Sequence, residues 1–142
     1  MDIGWRYISV GLHYNSCSRW SLTPFLTEFP MTSNDSNKKV SALVAAWLAG
    51  EHTMFEVCTE EPEIAWRAII EISRRDLSDE QAGLLAAGPL ETLLAWHSVD
   101  FIDRVIDEAK RSQRFCHFLG VVHRRDIPEE IWKQIKECGK RQ

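Results

Sequence analysis

Apolar residues recur every three or four positions along the chain from residue 37 onward. This spacing gathers them on one face of an α-helix. The pattern predicts about seven short helices joined by tight turns, over residues 37–50, 62–75, 78–87, 89–97, 100–111, 113–122 and 126–139. Strand signal is weak after residue 37. We therefore expect an all-α fold over a single helical domain, residues 37–142, built as a compact bundle or as a short HEAT-like stack.

Start and stop signals support several of these helices. Gly50 suits the left-handed turn that follows a helix, and Pro62 suits the first helical turn because its missing N–H needs no partner there. Ser78 followed by Gln81 is a capping box, in which the hydroxyl and the amide side chain bind each other's backbone N–H.

Residues 77–94, "LSDEQAGLLAAGPLETLL", place a Gly-Pro pair between two leucine-rich segments. The stretch lacks the lysine and glycine spacing of a phosphate-binding loop and the Gly-x-Ser-x-Gly of a nucleophile elbow. Gly88 permits the chain to reverse, and Pro89 suits a helix start. The stretch is therefore predicted to be the corner of a tight helical hairpin, with Glu91 in the first turn of the second helix.

Residues 1–36 differ from the rest. They are rich in aromatic and turn-forming residues, show no sustained helical period, and end in a polar stretch. We expect an irregular N-terminal extension or linker, with Met31 as a candidate physiological start; a short strand or hairpin on the domain edge is the alternative. Polar residues interrupt the apolar positions near Met1, so there is no signal-peptide pattern, and no apolar run reaches the length of a bilayer span. We expect a cytoplasmic protein.

Charge is unevenly distributed along the chain, whose net charge is −4. Residues 51–103 carry twelve acids against three bases, a balance of −9, whereas residues 104–142 carry ten bases against six acids, a balance of +4. The acidic segment, residues 51–63, combines five glutamates with Met54 and Phe55. Apolar anchors among acids suit a basic protein partner; an exposed inter-helix loop is the alternative. The candidate partner-binding residues are Glu51, Phe55, Glu60, Glu61, Trp66 and Arg67.

Six tryptophans are many for 142 residues. Four of them fall within predicted helices, where we expect core positions: Trp47, Trp66, Trp96 and Trp132. An exposed tryptophan beside the acidic segment would instead favour an interface.

A second interpretation is a small enzyme or ligand-binding domain. Glu91, His97 and Asp100, with Arg67, are the candidate polar residues of its pocket, which must converge on one cavity. His97 lies on the leucine stripe, where a hydrogen-bonded core histidine is the more common role. No catalytic motif is present, so we assign no catalytic residue.

The sequence predicts no metal site and no cofactor. The four cysteines form no Cys-x-x-Cys pair, and Cys116 and Cys138 read as small, reduced core residues. Cys116 and His117 are adjacent on one helix and point in different directions, so with His123 they make only a weak zinc motif. Basic residues near the C-terminus could contact phosphates, but no nucleic-acid motif accompanies them; they are Arg111, Arg114, Arg124, Arg125, Lys140 and Arg141. We expect neither nucleic-acid nor membrane binding.

The segments "AWLAGE", "PEIAWRAIIEI", "LSDEQAGLLAAGPLETLLAWH", "FIDRVIDEA", "RFCHFLGVV" and "PEEIWKQI" resemble a family of small bacterial proteins of unknown function. Its marks are LAAGPLExLL and a preceding Ala-Trp-Arg, and the resemblance covers roughly residues 40–137. It implies a bacterial, cytoplasmic, single-domain helical protein, and it transfers no catalytic residue. Together these patterns favour a non-enzymatic interaction module, of adaptor or inhibitor type by analogy of size and charge.

Overall fold

A computed structural model of the chain describes residues 32–51 and 54–140. Within these ranges the chain is helical and contains no strand, which confirms the all-α prediction. The α-helices are α1 (Ser33–Leu48), α2 (Phe55–Glu60), α3 (Pro62–Ser73), α4 (Asp79–Leu85), α5 (Glu91–Arg111), α6 (Gln113–Val121) and α7 (Glu129–Gly139), and a π-helical turn (Ala86–Leu90) joins α4 to α5. The candidate start at Met31 and the rest of residues 1–31 lie outside the described residues.

The helices pack around α5, the longest helix of the described part. It contacts α2, α3, α6 and α7, while α1 packs on α3 and α4 packs on α6. In a helical stack each unit contacts only its neighbours in sequence. Because α5 contacts helices that lie two positions away in the chain on both sides, the arrangement is a bundle.

The core consists of the apolar stripes that the spacing predicts. The stripe of α3 is fully buried; its residues are Ile64, Ala65, Ala68, Ile69 and Ile72. The leucine stripe that runs from the π-helical turn into α5 packs on α3, with Leu90, Leu93 and Leu94 wholly inaccessible. Burying a leucine or isoleucine contributes about 1.5–3 kcal/mol relative to leaving it in water, so these stripes hold the bundle together.

Several helix ends follow the predicted signals. Pro62 begins α3, and the backbone of Gly50 has a φ of +100° after the end of α1. In the Ser78 capping box, the N–H of Gln81 donates to Ser78 Oγ at 3.2 Å, and the N–H of Ser78 donates to Gln81 Oε1 at 3.0 Å. Helix α1, however, begins at Ser33 rather than at residue 37, with Asp35 in its first turn. A carboxylate there stabilises the positive end of the helix dipole.

The predicted hairpin corner at Gly88 and Pro89 is wrong. Gly88 does not adopt a positive φ, and α4 and α5 do not pack side by side. The chain instead continues through the π-helical turn, which contains Pro89. Proline cannot donate to the carbonyl four residues back, and its ring clashes with that carbonyl. The wider π turn moves the carbonyl away, so the Gly-Pro pair forms a bulge between two helices.

Helix α5 unites two of the predicted helices, residues 89–97 and 100–111. His97 is where they join, and its φ of −131° and ψ of 25° are not helical, so α5 bends there. The kink places the ring of His97 against α2, which the sequence pattern did not reveal.

Candidate functional site

Residues 55–60 of the acidic segment form α2, so the loop interpretation is wrong for these residues. Met54 and Cys58 are buried, which fixes the inner side of this short helix. On its outer side Phe55 is 61% exposed, and Glu56 and Glu60 are also exposed. The segment therefore presents a phenyl ring and two carboxylates to the surroundings of the helical bundle.

His97 links α5 to this segment. Its Nε2 lies 2.9 Å from the carbonyl oxygen of Thr59, and because a carbonyl only accepts, Nε2 donates the proton. The hydroxyl of Thr59 in turn donates to the backbone oxygens of Phe55, at 3.2 Å, and Glu56, at 3.0 Å. The His97 hydrogen bond therefore fastens α5, at its kink, to the last turn of α2.

Trp96 precedes His97 in α5, and its side chain lies on the surface. It is 63% exposed, so its predicted core position is wrong, while Trp47 and Trp66 are buried as predicted. Val99, one helical turn further on, is exposed as well. The leucine stripe that includes Leu94 already occupies the inner side of α5, and a residue two positions later points to nearly the opposite side. Trp96 also follows Leu93 by three positions, however, which places it on the same side of the helix as that leucine. The spacing therefore left the position of Trp96 open.

We call this region the α2–α5 surface and define it by six exposed residues: Phe55, Glu56, Glu60, Trp96, Val99 and Asp100. It combines three apolar side chains with three carboxylates. None of the ion pairs among the described residues involves Glu56, Glu60 or Asp100. The carboxylates therefore keep their charge available to a partner.

Two other predicted partner-binding residues, Glu51 and Glu61, line a neighbouring groove of about 410 Å³. The floor of this groove is apolar and is contributed by α1, α2, α3 and Met54; it includes Leu43, Ala46, Met54, Val57 and Ile64. At its edge the Nζ atom of Lys39 lies 2.7 Å from Glu61 Oε2. The groove thus adjoins the inner edge of the acidic segment.

Trp66 and Arg67 lie elsewhere. Trp66 is 6% exposed and packs against the rings of Phe101 and Phe115, with centroid distances of 5.9 and 6.0 Å. Arg67 is exposed, and its guanidinium donates to the side-chain oxygen of Asn37. The structure therefore places Phe55 and Glu60 on α2 and Trp96 on α5, the helix that packs against α2, whereas Trp66 and Arg67 lie on α3.

The three residues of the pocket interpretation share helix α5 but face different surroundings. Glu91 is buried against the segment between α6 and α7, His97 is bound to α2, and Asp100 is exposed. None of them lines the groove between α1, α2 and α3. The hydrogen bonds of Glu91 and of His97 lead to different parts of the bundle.

The carboxylate of Glu91 accepts several hydrogen bonds from residues that are distant in sequence. This carboxylate is 2% exposed and accepts hydrogen bonds from Nε of Arg125, from the backbone N–H of His123 at 3.1 Å, and from His123 Nδ1 at 3.2 Å. Buried carboxylates are tolerated when opposite charges and N–H groups satisfy them. Arg125 takes a φ of +40° to reach it. The contact fastens the α6–α7 connection to the start of α5.

Among the described residues, the side chains that can bind metals do not cluster: no three His, Cys, Asp or Glu side chains are placed to hold an ion. Cys58 is buried, and burial raises the pKa of its thiol to about 12. The thiol therefore stays protonated at neutral pH, and it lies 3.5 Å from the carbonyl oxygen of Pro89. A protonated thiol is neither a good nucleophile nor a metal ligand.

Three arginines of the C-terminal part have partners of their own. Arg125 binds Glu91, Arg124 Nη1 lies 2.6 Å from Glu129 Oε2, and the guanidinium of Arg114 lies 5.9 Å from the ring centroid of Phe118. These contacts distribute the arginines among separate acids and rings.

Comparison with known proteins identifies one family. A family model described as "Family of unknown function (DUF6869)" matches residues 34–142, which agrees with the resemblance to an uncharacterised family. No curated protein and no solved structure matches the chain. None of the described helices has both the length and the apolar content needed to cross a membrane.

Proposed function

The chain belongs to the family of unknown function DUF6869, and we propose that it is a non-enzymatic interaction module that binds a basic protein partner through the α2–α5 surface. The observation that carries this proposal is the 63% exposure of Trp96 on α5, the helix that packs against α2 of the acidic segment. Tryptophan is among the residues that contribute most to protein–protein binding energy. In this position its ring contributes little to the bundle and is available to a partner.

The apolar part of the α2–α5 surface supports this function. Phe55 and Val99 are exposed together with Trp96, on two helices that the His97–Thr59 hydrogen bond holds side by side. Grouped exposed apolar side chains mark interaction sites, whereas single ones are ordinary. The helices also fix the backbone positions of these anchors, so that binding has to order side chains but not the backbone.

The charged part specifies the kind of partner. Glu56, Glu60 and Asp100 are exposed, and Asp103 continues the same run of acids along α5. Carboxylates around apolar anchors attract a basic surface, increase its association rate and disfavour acidic competitors. The partner that fits is therefore a protein with lysine or arginine side chains around an apolar pocket or groove. An adaptor or an inhibitor of a basic protein has this kind of surface.

The alternative is a small enzyme or ligand-binding domain built on Glu91, His97 and Asp100. Catalysis requires such groups to lie within hydrogen-bond reach of one substrate position. Here Glu91 binds Arg125 and His123, and His97 binds Thr59. The hydrogen bonds of both residues connect one part of the bundle to another, which favours the interaction module.

The proposal is tested by reversing the charge of α2. We expect the tagged full-length chain, purified from its own host at low salt, to retain a basic protein in stoichiometric amount and to release it at moderate salt. The double variant Glu56→Lys/Glu60→Lys should bind this partner at least about tenfold more weakly, because each lysine replaces attraction with repulsion. The binding of the purified partner is then measured by calorimetry.

The matched control reverses two exposed acids on α7, Glu130→Lys and Glu137→Lys. Its net charge equals that of the α2 variant, so a general charge effect would weaken both equally. The proposal predicts that the α7 variant binds like the wild type. Equal affinity of the α2 variant and the wild type, or no retained protein at either salt concentration, would contradict it.

A further inference from the structure

Two thiols share one cleft on the side of the bundle formed by α5, α6 and α7. Cys116 and Cys138 both line this cleft, which has a volume of about 450 Å³ and is also bounded by Ala109, Lys110 and Gln113. Each cysteine is 6% exposed. Two cysteines that are almost buried therefore border a cleft that small solutes can enter.

The two cysteines are close neighbours in space although they are far apart in sequence. Cys116 Sγ lies 2.7 Å from the carbonyl oxygen of Cys138. This oxygen and the sulfur of Cys138 belong to the same residue and are only a few covalent bonds apart. The backbones of α6 and α7 also approach closely here, since a Cβ atom added to Gly139 would lie 3.5 Å from the Cα of Gly120. A disulfide requires two cysteines whose Cα atoms lie within about 7 Å of each other. The close backbone contact lies at Gly139, the residue after Cys138, and at Gly120, about one helical turn after Cys116, so both cysteines are next to it.

We propose that Cys116 and Cys138 form an oxidisable dithiol, which a hydroperoxide converts into a disulfide between α6 and α7. In the first step one sulfur attacks the peroxide, the O–O bond breaks, and a sulfenic acid and water form from hydrogen peroxide. In the second step the other thiol attacks the sulfenic sulfur, the S–S bond forms, and a second water leaves. The two sulfurs are oxidised by two electrons in total, and the peroxide is reduced.

Cys58 differs from this pair in its surroundings. Its thiol is buried in the core and faces the carbonyl oxygen of Pro89. Burial raises its pKa to about 12, so it contains almost no reactive thiolate at neutral pH. Cys58 therefore serves as an internal reference for unspecific oxidation.

The disulfide would fasten α7 to the bundle. It would close the loop between residues 116 and 138, which contains the connection held by Glu91 through Arg125 and His123. A cross-link stabilises a fold mainly by restricting the unfolded chain. Oxidation would thus make the α6–α7 unit more resistant to unfolding without moving the α2–α5 surface.

The test treats the full-length protein with a small excess of hydrogen peroxide, blocks remaining thiols by alkylation, and maps tryptic peptides by mass spectrometry. We expect the peptide of residues 115–124 joined to that of residues 137–140, with the loss of two hydrogens, and release of both by dithiothreitol. In thermal unfolding, the oxidised protein should show a midpoint roughly 5–15 °C above that of the reduced protein.

Cys116→Ser and Cys138→Ser should each abolish the joined peptide and the thermal shift. Cys58→Ser is the control, and it should keep both. The mapping on the wild type does not depend on how well these variants fold. Sulfinic acid at Cys116 or Cys138 without the joined peptide would overturn the proposal. So would a disulfide in which either residue pairs with Cys17 or Cys58 instead.

Discussion

We expect Trp66→Ala to lower the free energy of unfolding by about 3–5 kcal/mol, the range for truncating a buried aromatic residue. The indole is 6% exposed, contacts the rings of Phe101 and Phe115, and has the Arg104 guanidinium 5.4 Å from its ring centroid. Alanine would leave a cavity among α3, α5 and α6. It would also remove the ring that the Arg104 guanidinium contacts. Equilibrium unfolding in urea, followed by circular dichroism, measures the change.

Trp96→Ala is the matched control, because it removes the same side chain from the surface. Its ring is 63% exposed, so we expect a change within about 0.5 kcal/mol. Comparable losses for the two variants would show that Trp96 belongs to the core, and the proposed interface would lose its main anchor.

We expect Arg125→Met to destabilise the protein by about 3 kcal/mol, although the arginine side chain is itself 68% exposed. The cost arises at Glu91, whose buried carboxylate loses its charged partner and keeps only the hydrogen bonds from His123. Leaving a buried charge without compensation costs several kilocalories per mole. Methionine keeps an unbranched side chain at the same backbone position, so the positive φ affects both proteins similarly. Chemical denaturation at neutral pH checks this value.

Arg124→Met supplies the comparison at the adjacent position. Arg124 binds Glu129, and both side chains are about half exposed. Ion pairs in such positions contribute about 0–1 kcal/mol because water and salt screen them. A loss at Arg124 as large as that at Arg125 would mean that burial of Glu91 does not control the stability of this connection.

Local signals in the sequence predict much of this fold. The apolar stripe of α3 and the leucine stripe of α5 face the core, and Pro62 and Ser78 begin helices where expected. These features depend on residues three or four positions apart, and helical geometry determines which of them meet. Local spacing was therefore enough to predict an all-α fold, but it left the choice between a bundle and a stack open.

Features that depend on distant residues were not predictable in the same way. The contact of Glu91 with Arg125 and the proximity of Cys116 to Cys138 join residues far apart in sequence, and no local spacing predicts such pairs. At Pro89 the local signal allowed two outcomes, a turn or a bulge, and packing against the rest of the bundle favours the bulge. Trp96 is a local case, because its spacing from Leu93 and its spacing from Leu94 point to opposite sides of the helix and left both a buried and an exposed position open.

The most direct measurement is the retention of the partner by a variant that lacks the apolar anchors. Phe55→Ser/Trp96→Ser removes the two exposed rings of the α2–α5 surface, and Leu84→Ser/Val121→Ser removes two exposed apolar side chains from α4 and α6. In purification from the host at low salt, we expect the first variant to lose the basic partner and the second to retain it as the wild type does. Retention by the first variant, or equal loss by both, would contradict binding through this surface.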